Sequence, residues 1–251
     1  MAFVIRVVSA AAAVVLVGSI GAVSGVAVAA AKSACAEMGG NIQSGNICHV
    51  NETTPAYVID LRFSTDYPDQ QAVTGFLAQE RSRLIGLAQT PGAQRLPYNL
   101  YNTFELFSAG QSSTTSQQQQ GYGQPPHGTE SLLLVEFFDA EGSGREGKNT
   151  PKTFTYDLNS NRPVTFDELF VPGSNPIDKI YPAVATDLAR QQKARNFHLD
   201  PNIGRNPAHY QNFAVTDDAV TFFFSAGEFF PAEAGDTRTV IPRALLPPLQ
   251  I

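Results

Sequence analysis

A serine, a histidine and an aspartate in the C-terminal part of the chain could do the chemistry of a serine hydrolase. His209, Asp217 and Ser225 are grouped around a predicted β-hairpin. Such hydrolysis needs a base within hydrogen-bond reach of the serine and an acid that orients the base. The chain has no Gly-x-Ser-x-Gly motif, and the spacing does not require the three residues to meet. A surface or packing histidine is therefore the favoured interpretation of His209, with the triad as the alternative.

Three carboxylates follow the phenylalanine run 222–224, namely Glu228, Glu233 and Asp236. Paired carboxylates can hydrolyse glycosides, but in an acidic chain such a group is more typical of a solvated loop. The sequence contains no His-Glu-x-x-His, no phosphate-binding loop and no dinucleotide fingerprint. We therefore expect no cofactor.

Phe229 and Phe230, which follow the phenylalanine run 222–224, are consistent with either a binding surface or packing in the core. Phe229 and Phe230 come just after a predicted strand, in a stretch bounded by glycine and proline, and Glu228 precedes them. Exposed apolar patches of this kind mark interaction sites. The run 222–224 is instead predicted to be a buried strand. Glu228, Phe229 and Phe230 are therefore the predicted contact residues.

Cys35 and Cys48 are the two cysteines of the chain. In an exported protein two such cysteines are predicted to form a disulfide bond. A metal site is disfavoured, although His49 adjoins Cys48, because two further ligands at zinc spacing are missing. The predicted bond would hold the N-terminal end of the mature chain in place.

The overall composition limits the function. The chain has 251 residues, 43% of them apolar, which is enough for a sizeable core, and a formal charge of −6. A negative chain lacks the basic surface that nucleic acids require. Residues 1–31 resemble a secretory leader that ends in Ala29-Ala30-Ala31, so we expect export and no membrane span after cleavage. An uncleaved anchor is the alternative, because the apolar run could span a bilayer.

The candidate functional residues must be positioned by helices and strands, and the hydrophobic pattern of the chain predicts an α+β fold in which helices pack on antiparallel sheet. An N-terminal α/β lobe is expected over residues 32–160, with a flexible Gln/Ser-rich loop at 108–128. A C-terminal α/β lobe is expected over 161–251. Predicted strands cover 57–63, 98–107, 131–138, 154–158, 213–216, 219–224 and 237–241, and helices follow Asp66 and Asn175. The central strand is 131–138, because it is apolar on both faces.

Four stretches of the chain resemble a family of mycobacterial immunogenic secreted antigens. They are GNICHV (45–50), TDYPDQQAV (65–73), PVTFDELFVPGSNPIDKIYP (163–182) and HYQNFAVTDDAVTFFFSAGEFFPAEAG (209–235). The C-terminal part is also similar to the extracellular domain of the lysozyme-binding anti-sigma factor family. The resemblance implies a secreted or wall-associated α/β protein with a disulfide near its N-terminus. It is consistent with an esterase activity but assigns no catalytic residues.

Taken together, the sequence favours a secreted or cell-wall-associated, antigen-like protein that is non-enzymatic and binds a protein or envelope partner. The alternative is a secreted serine carboxylesterase that acts on ester or cell-wall substrates through Ser225, His209 and Asp217.

Overall fold

The computed structural model describes residues 34–110, 127–143, 146–191 and 198–251. The predicted leader at 1–31 and most of the predicted loop at 108–128 lie outside the described residues. Within them, the chain forms two β-sheets with helices packed against them. The α+β prediction is confirmed.

The larger sheet has seven strands that lie in the same order as in the sequence. They are β1 (Asn41–Gln43), β2 (Ile47–Thr53), β3 (Tyr57–Ser64), β4 (Tyr98–Ala109), β5 (Thr129–Asp139), β6 (Lys148–Asp157) and β7 (Arg162–Pro163). All neighbours are antiparallel except β3 and β4, which are parallel. This pair differs from the expected antiparallel sheet because a helix carries the chain back across the sheet, and such a crossover joins parallel strands.

The crossover helix, α1 (Gln70–Ala88), covers one face of the large sheet. Its buried residues Val73, Leu77 and Leu84 join the core of that face, together with Ile59 and Leu61 of β3. Helices of this kind bury an apolar stripe at 3.6-residue periodicity.

The predicted N-cap of this helix, Asp66, was wrong by one turn. Asp69 caps α1 instead, because its Oδ1 accepts a hydrogen bond from the backbone nitrogen of Ala72 at 3.0 Å. Asp66 accepts from the side chain of Asn46, also at 3.0 Å. Both aspartates precede the apolar stripe, so either could have capped it by sequence alone.

The smaller sheet has the order β10–β9–β8 and lies in the C-terminal part. Its strands are β8 (Phe213–Val215), β9 (Ala219–Phe224) and β10 (Thr237–Pro242). The predicted hairpin around Asp217 and Asp218 is confirmed, since Val215 pairs with Val220. Around this sheet lie α2 (Phe166–Leu169), α3 (Ile177–Gln191), α4 (Pro201–Gly204) and 3₁₀ helices at Pro207–Tyr210, Ala232–Ala234 and Arg243–Leu245. Helix α4 lies in the polar stretch 191–206, whose composition alone indicates a loop.

Buried aromatic rings fill the core beneath the smaller sheet. The ring of Tyr210 lies 5.5 Å from that of Phe222 and 6.0 Å from that of Phe166. A capping box starts α2, because Glu168 accepts hydrogen bonds from the backbone and hydroxyl of Thr165. Short polar contacts and aromatic packing thus fix this part of the chain.

The two sheets are joined by buried hydrogen bonds rather than by apolar packing alone. The backbone of β8 is held by hydroxyls on one face of β5 and β6. Ser131 accepts from the nitrogen of Val215 at 3.2 Å, Thr153 accepts from the nitrogen of Phe213 at 2.8 Å, and Thr155 donates to the carbonyl of Phe213 at 3.1 Å. Because buried polar groups of this kind are costly to leave unpaired, these bonds fix how β8 sits on the larger sheet.

Candidate functional site

His209 and Glu228 form a hydrogen-bonded pair at the end of the smaller sheet. Oε1 of Glu228 lies 2.8 Å from Nδ1 of His209. The two side chains are partly shielded, at 26% and 19% exposure. An ionised carboxylate only accepts hydrogen bonds, so neutral His209 carries its proton on Nδ1. Its Nε2 therefore keeps a lone pair that can accept a proton.

A short 3₁₀ helix positions His209. Asn206 caps the helix by accepting from the backbone nitrogen of Ala208 at 3.1 Å. The next residue, Tyr210, is fully buried and its hydroxyl donates to the carbonyl of Gly204. Burial raises the pKa of Tyr210, so the ring stays neutral and remains anchored in the core. The buried tyrosine thereby holds the neighbouring histidine at the surface.

A tight turn after β9 positions Glu228. The backbone nitrogen of Glu228 donates to the carbonyl of Ser225 at 3.1 Å. Oε2 of Glu228 accepts from the backbone nitrogen of Ser225 at 2.8 Å. The carboxylate thus uses one oxygen to close its own turn and the other to orient His209.

Ser225 is partly exposed and belongs to the same turn as Glu228. Its backbone nitrogen donates to Glu228, whose other carboxylate oxygen contacts His209, so Ser225 is linked to the pair through its backbone. Among the described residues, the hydrogen-bond partner of the His209 ring is Glu228. Catalytic hydrogen bonds are often long in ligand-free sites, so the contact between a nucleophile and its base need not be formed here.

Asp217 lies elsewhere. It follows β8 in the turn at the opposite end of the hairpin, and its Oδ1 accepts from the backbone nitrogen of Gly110 at 2.6 Å. The six residues of β9 separate this turn from Ser225, which corresponds to about 20 Å. The structure therefore does not bring Asp217 to His209, and the carboxylate beside His209 is that of Glu228.

The two aromatic residues of the predicted contact surface, Phe229 and Phe230, differ in their exposure. Phe229 is partly exposed, with its ring 5.1 Å from the His209 ring and 4.7 Å from that of Phe224. Phe230 is 9% exposed and belongs to the core beneath the smaller sheet. Phe229 therefore forms one wall beside the pair, whereas Phe230 supports the fold.

The other two carboxylates of this segment, Glu233 and Asp236, are exposed. Glu233 lies in the 3₁₀ helix Ala232–Ala234, and Asp236 directly precedes β10. In residues 34–110, 127–143, 146–191 and 198–251, no three His, Cys, Asp or Glu side chains are grouped closely enough to hold a metal ion.

The sequence contains a signal for the hydrogen-bonded turn from Ser225 to Glu228. Ser225 and Glu228 have the Ser-x-x-Glu spacing in which a glutamate carboxylate reaches back to the backbone nitrogen of the residue three before it. The bond from Glu228 to His209 had no such signal, because it joins residues 19 positions apart.

Cys35 and Cys48 form the predicted disulfide bond. Both side chains are buried in the core of the larger sheet. Gly40 lies directly over them, and a Cβ atom built there would stand 2.7 Å from the sulfur of Cys48. The bond thus pins the first described residues to β2. None of the helices in the described part of the chain has the length and apolar character needed to cross a membrane.

One family model matches the C-terminal part of the chain. A family described as a protein of unknown function, DUF3298, matches residues 167–244, which include both members of the His209–Glu228 pair. A solved DUF3298 protein from Pseudomonas aeruginosa PAO1 is 14% identical, with a TM-score of 0.46 over 79% of this chain and 91% of that chain.

Three mycobacterial relatives match nearly the whole chain. Esterase Rv3036c of Mycobacterium tuberculosis is 41% identical over 223 residues, which cover 89% of this chain and 91% of the relative. The immunogenic proteins MPB64 of Mycobacterium bovis and MPT64 of Mycobacterium tuberculosis are each 33% identical over 89% of this chain and 90% of theirs. The chain belongs to the family that these proteins form.

Proposed function

We propose that this protein hydrolyses carboxylic esters, with His209 as the general base and Glu228 as the acid that orients it. The observation that carries the proposal is the 2.8 Å contact between Oε1 of Glu228 and Nδ1 of His209. It is the arrangement that acyl hydrolases use to keep the other ring nitrogen available as a base. A relative at 41% identity that is named an esterase supports the same activity.

The chemistry follows from the protonation of the pair. Nε2 of neutral His209 takes the proton from a hydroxyl nucleophile, whose oxygen attacks the ester carbonyl carbon. The resulting imidazolium then donates that proton to the departing alcohol, and Glu228 stabilises the imidazolium meanwhile. If the nucleophile is water, these steps convert ester and water to carboxylic acid and alcohol. If it is a serine hydroxyl, they give an acyl-enzyme and the alcohol, and a water that His209 deprotonates in the same way then releases the carboxylic acid and restores the serine.

Two nucleophiles are compatible with this pair. Ser225 could attack and form an acyl-enzyme that water hydrolyses, or His209 could activate a water molecule directly. The position of Ser225 in the same turn as Glu228 favours the serine. The two routes differ in whether a covalent intermediate accumulates.

The test is hydrolysis of p-nitrophenyl butyrate by purified residues 32–251 and by a His209→Gln variant. General acid–base catalysis contributes about 10²–10⁴-fold, so we expect kcat to fall by at least about 100-fold in the variant. His49→Gln is the matched control, because His49 lies in β2 and its ring bonds Asp60 and Gln43. Equal activity in all three proteins, or equal loss in both variants, would refute the proposal.

We propose as a second function that the protein is exported and binds a protein or cell-envelope partner. The immunogenic relatives, the predicted leader at 1–31 and the resemblance of the C-terminal part to the lysozyme-binding anti-sigma factor domain favour it. The partly exposed ring of Phe229 is the contact that this function would use.

Lysozyme is the probe for this second function. We expect immobilised hen egg-white lysozyme to retain the wild-type chain and to release a Phe229→Ser variant. Leu245→Ser, at an exposed leucine in another part of the surface, should bind like wild type. No retention of the wild-type chain, or the same retention of both variants, would contradict the partner surface.

A further inference from the structure

In residues 34–110, 127–143, 146–191 and 198–251, strand β4 has a long edge that no other strand covers. β4 pairs with β5 along its whole length, from Asn99 to Ala109. On its other side it pairs with β3 only as far as Tyr101. In the described part of the chain no strand pairs with this side from Thr103 to Ser108, a length of about 20 Å.

The two strands separate because a side chain is inserted between them. Asn102 accepts from the backbone nitrogen of Arg62 at 2.9 Å and donates to the carbonyl of the same residue at 2.7 Å. These bonds replace the next step of the β3–β4 ladder by an amide side chain. Beyond Asn102 the strands diverge and leave a cleft of about 540 Å³. The cleft walls include the apolar Ile47 and Phe104 and the ion pair of Asp60 with Arg62.

Other strands of the larger sheet also have unpaired stretches, because β1 covers β2 only from Ile47 to His49 and β7 covers β6 only at Tyr156 and Asp157. The free side of β6 is partly closed by Asn212, whose side chain accepts from the backbone nitrogen of Thr153 at 3.1 Å. The outermost strands are very short, with three residues in β1 and two in β7. Short edge strands are one of the devices by which proteins avoid pairing with another chain. In the smaller sheet, Gln191 of α3 donates to the backbone carbonyl of Arg238 on β10 at 2.7 Å. Within the part of the chain that the structure describes, the edge of β4 from Thr103 to Ser108 has neither device.

We propose that this edge binds an extended peptide segment of a partner protein, which adds as a strand beside β4 and enters the cleft at Asn102. Alternate residues of β4 direct backbone N–H and C=O groups toward this edge, and an added strand would satisfy them. The site is separate from the His209–Glu228 pair and independent of ester hydrolysis.

The side chains along the edge define the chemistry of the peptide. On one face of β4, Leu106 is 43% exposed and Phe104 is partly exposed, so peptide residues over this face are apolar. On the other face Glu105 is exposed and holds Arg238 only loosely, at 3.6 Å. A lysine or arginine of the peptide fits opposite Glu105, and the net charge of −6 attracts a basic segment over longer distances. The occupant is therefore an extended, basic segment with alternating apolar and polar residues.

Amide hydrogen exchange followed by NMR tests the site directly. In the protein alone, we expect alternate amides from Thr103 to Ser108 to exchange fast, because only the others are bonded to β5. The probe is a ten-residue peptide of alternating valine and lysine. On its addition the fast amides should slow by more than about tenfold. The same peptide with N-methylated backbone amides, which cannot pair as a strand, should have no effect.

Two variants locate the binding. Leu106→Lys, which places a charge on the edge, should abolish the protection, whereas Leu245→Lys, at another exposed leucine, should leave it intact. Protection of the edge amides in the protein alone would overturn the proposal. So would equal protection by the N-methylated peptide, protection that grows with protein concentration and so reports a second copy, or no protection by the probe.

Discussion

Oε1 of Glu228 and Nδ1 of His209 lie 2.8 Å apart, although 19 positions separate the two residues in the chain. A buried tyrosine fixes the helix that carries the histidine, and a closed turn fixes the glutamate. The pair is therefore held by parts of the fold that are stable without a ligand. Preorganised contacts of this kind are the ones that lower a reaction barrier.

The first prediction separates the two acids that could orient His209. Glu228→Gln removes the negative charge beside Nδ1, so kcat for p-nitrophenyl butyrate should fall by about 100-fold or more. Asp217→Asn should leave kcat within about twofold, because Asp217 lies at the far end of β9. Loss of activity in Asp217→Asn with retention in Glu228→Gln would show that the assignment of the acid is wrong.

The second prediction concerns the nucleophile. If Ser225 attacks the ester, Ser225→Ala abolishes hydrolysis, and the wild-type protein releases a burst of p-nitrophenol before the steady state. The backbone bonds from Ser225 to Glu228 do not use the hydroxyl, so the variant should fold normally. Circular dichroism provides that check. Full activity in Ser225→Ala would contradict a serine nucleophile and leave water as the attacking group.

The third prediction concerns the disulfide bond. The two cysteines are 13 positions apart, and closing a loop of that length stabilises a protein by about 3 kcal/mol in the chain-entropy model. A Cys35→Ala/Cys48→Ala variant of residues 32–251 should lose about that much in urea unfolding. The matched comparison is the wild-type protein under reducing conditions, which should lose the same free energy of unfolding as the double variant. A difference of less than about 1 kcal/mol between oxidised and reduced protein would contradict a stabilising role.

The fourth prediction is a pH dependence of stability. Burial by itself raises the pKa of Asp157, but hydrogen bonds from Ser160 and Asn159 outweigh burial and lower the pKa below its ordinary value. A carboxylate with a lowered pKa in the folded state stabilises the protein above its unfolded-state pKa. That contribution is lost as the pH falls through the folded value.

Asp157→Asn should therefore reduce the free energy of unfolding by about 1–2 kcal/mol at pH 7. The difference in the free energy of unfolding between the variant and the wild type should shrink once the pH is below about 4, where the carboxyl of the unfolded chain is protonated. Asp218→Asn, at an exposed turn position, is the control and should show no such change. A gap for Asp157→Asn that is the same at pH 7 and at about pH 3 would contradict the account.

Local patterns in the sequence were sufficient for most of the elements. The apolar run 131–138 predicted β5, which lies between β4 and β6 in the larger sheet. The Asp217-Asp218 dipeptide predicted the hairpin of β8 and β9. Both signals lie within one element and its turn, where backbone preference and burial act over a few residues.

The relationships between distant segments were not predictable in the same way. Nothing local indicates that Asn102 would replace a step of the β3–β4 ladder, since the bond reaches 40 positions along the chain. The pairing of Glu228 with His209 likewise depends on how the 3₁₀ helix packs beside the end of β9. Asp217 was predicted as the acid because it is close to His209 and Ser225 in sequence. The six extended residues of β9 place it far from Ser225 in space.

A double-mutant cycle shows whether His209 and Glu228 act as one catalytic unit. We would measure kcat/KM for p-nitrophenyl butyrate in the wild type, His209→Gln, Glu228→Gln and the double variant. If Glu228 acts only by orienting His209, the double variant should be no slower than His209→Gln, because residues that act as a unit are not additive. Losses that multiply in the double variant, or single variants as active as wild type, would contradict a catalytic His209–Glu228 pair.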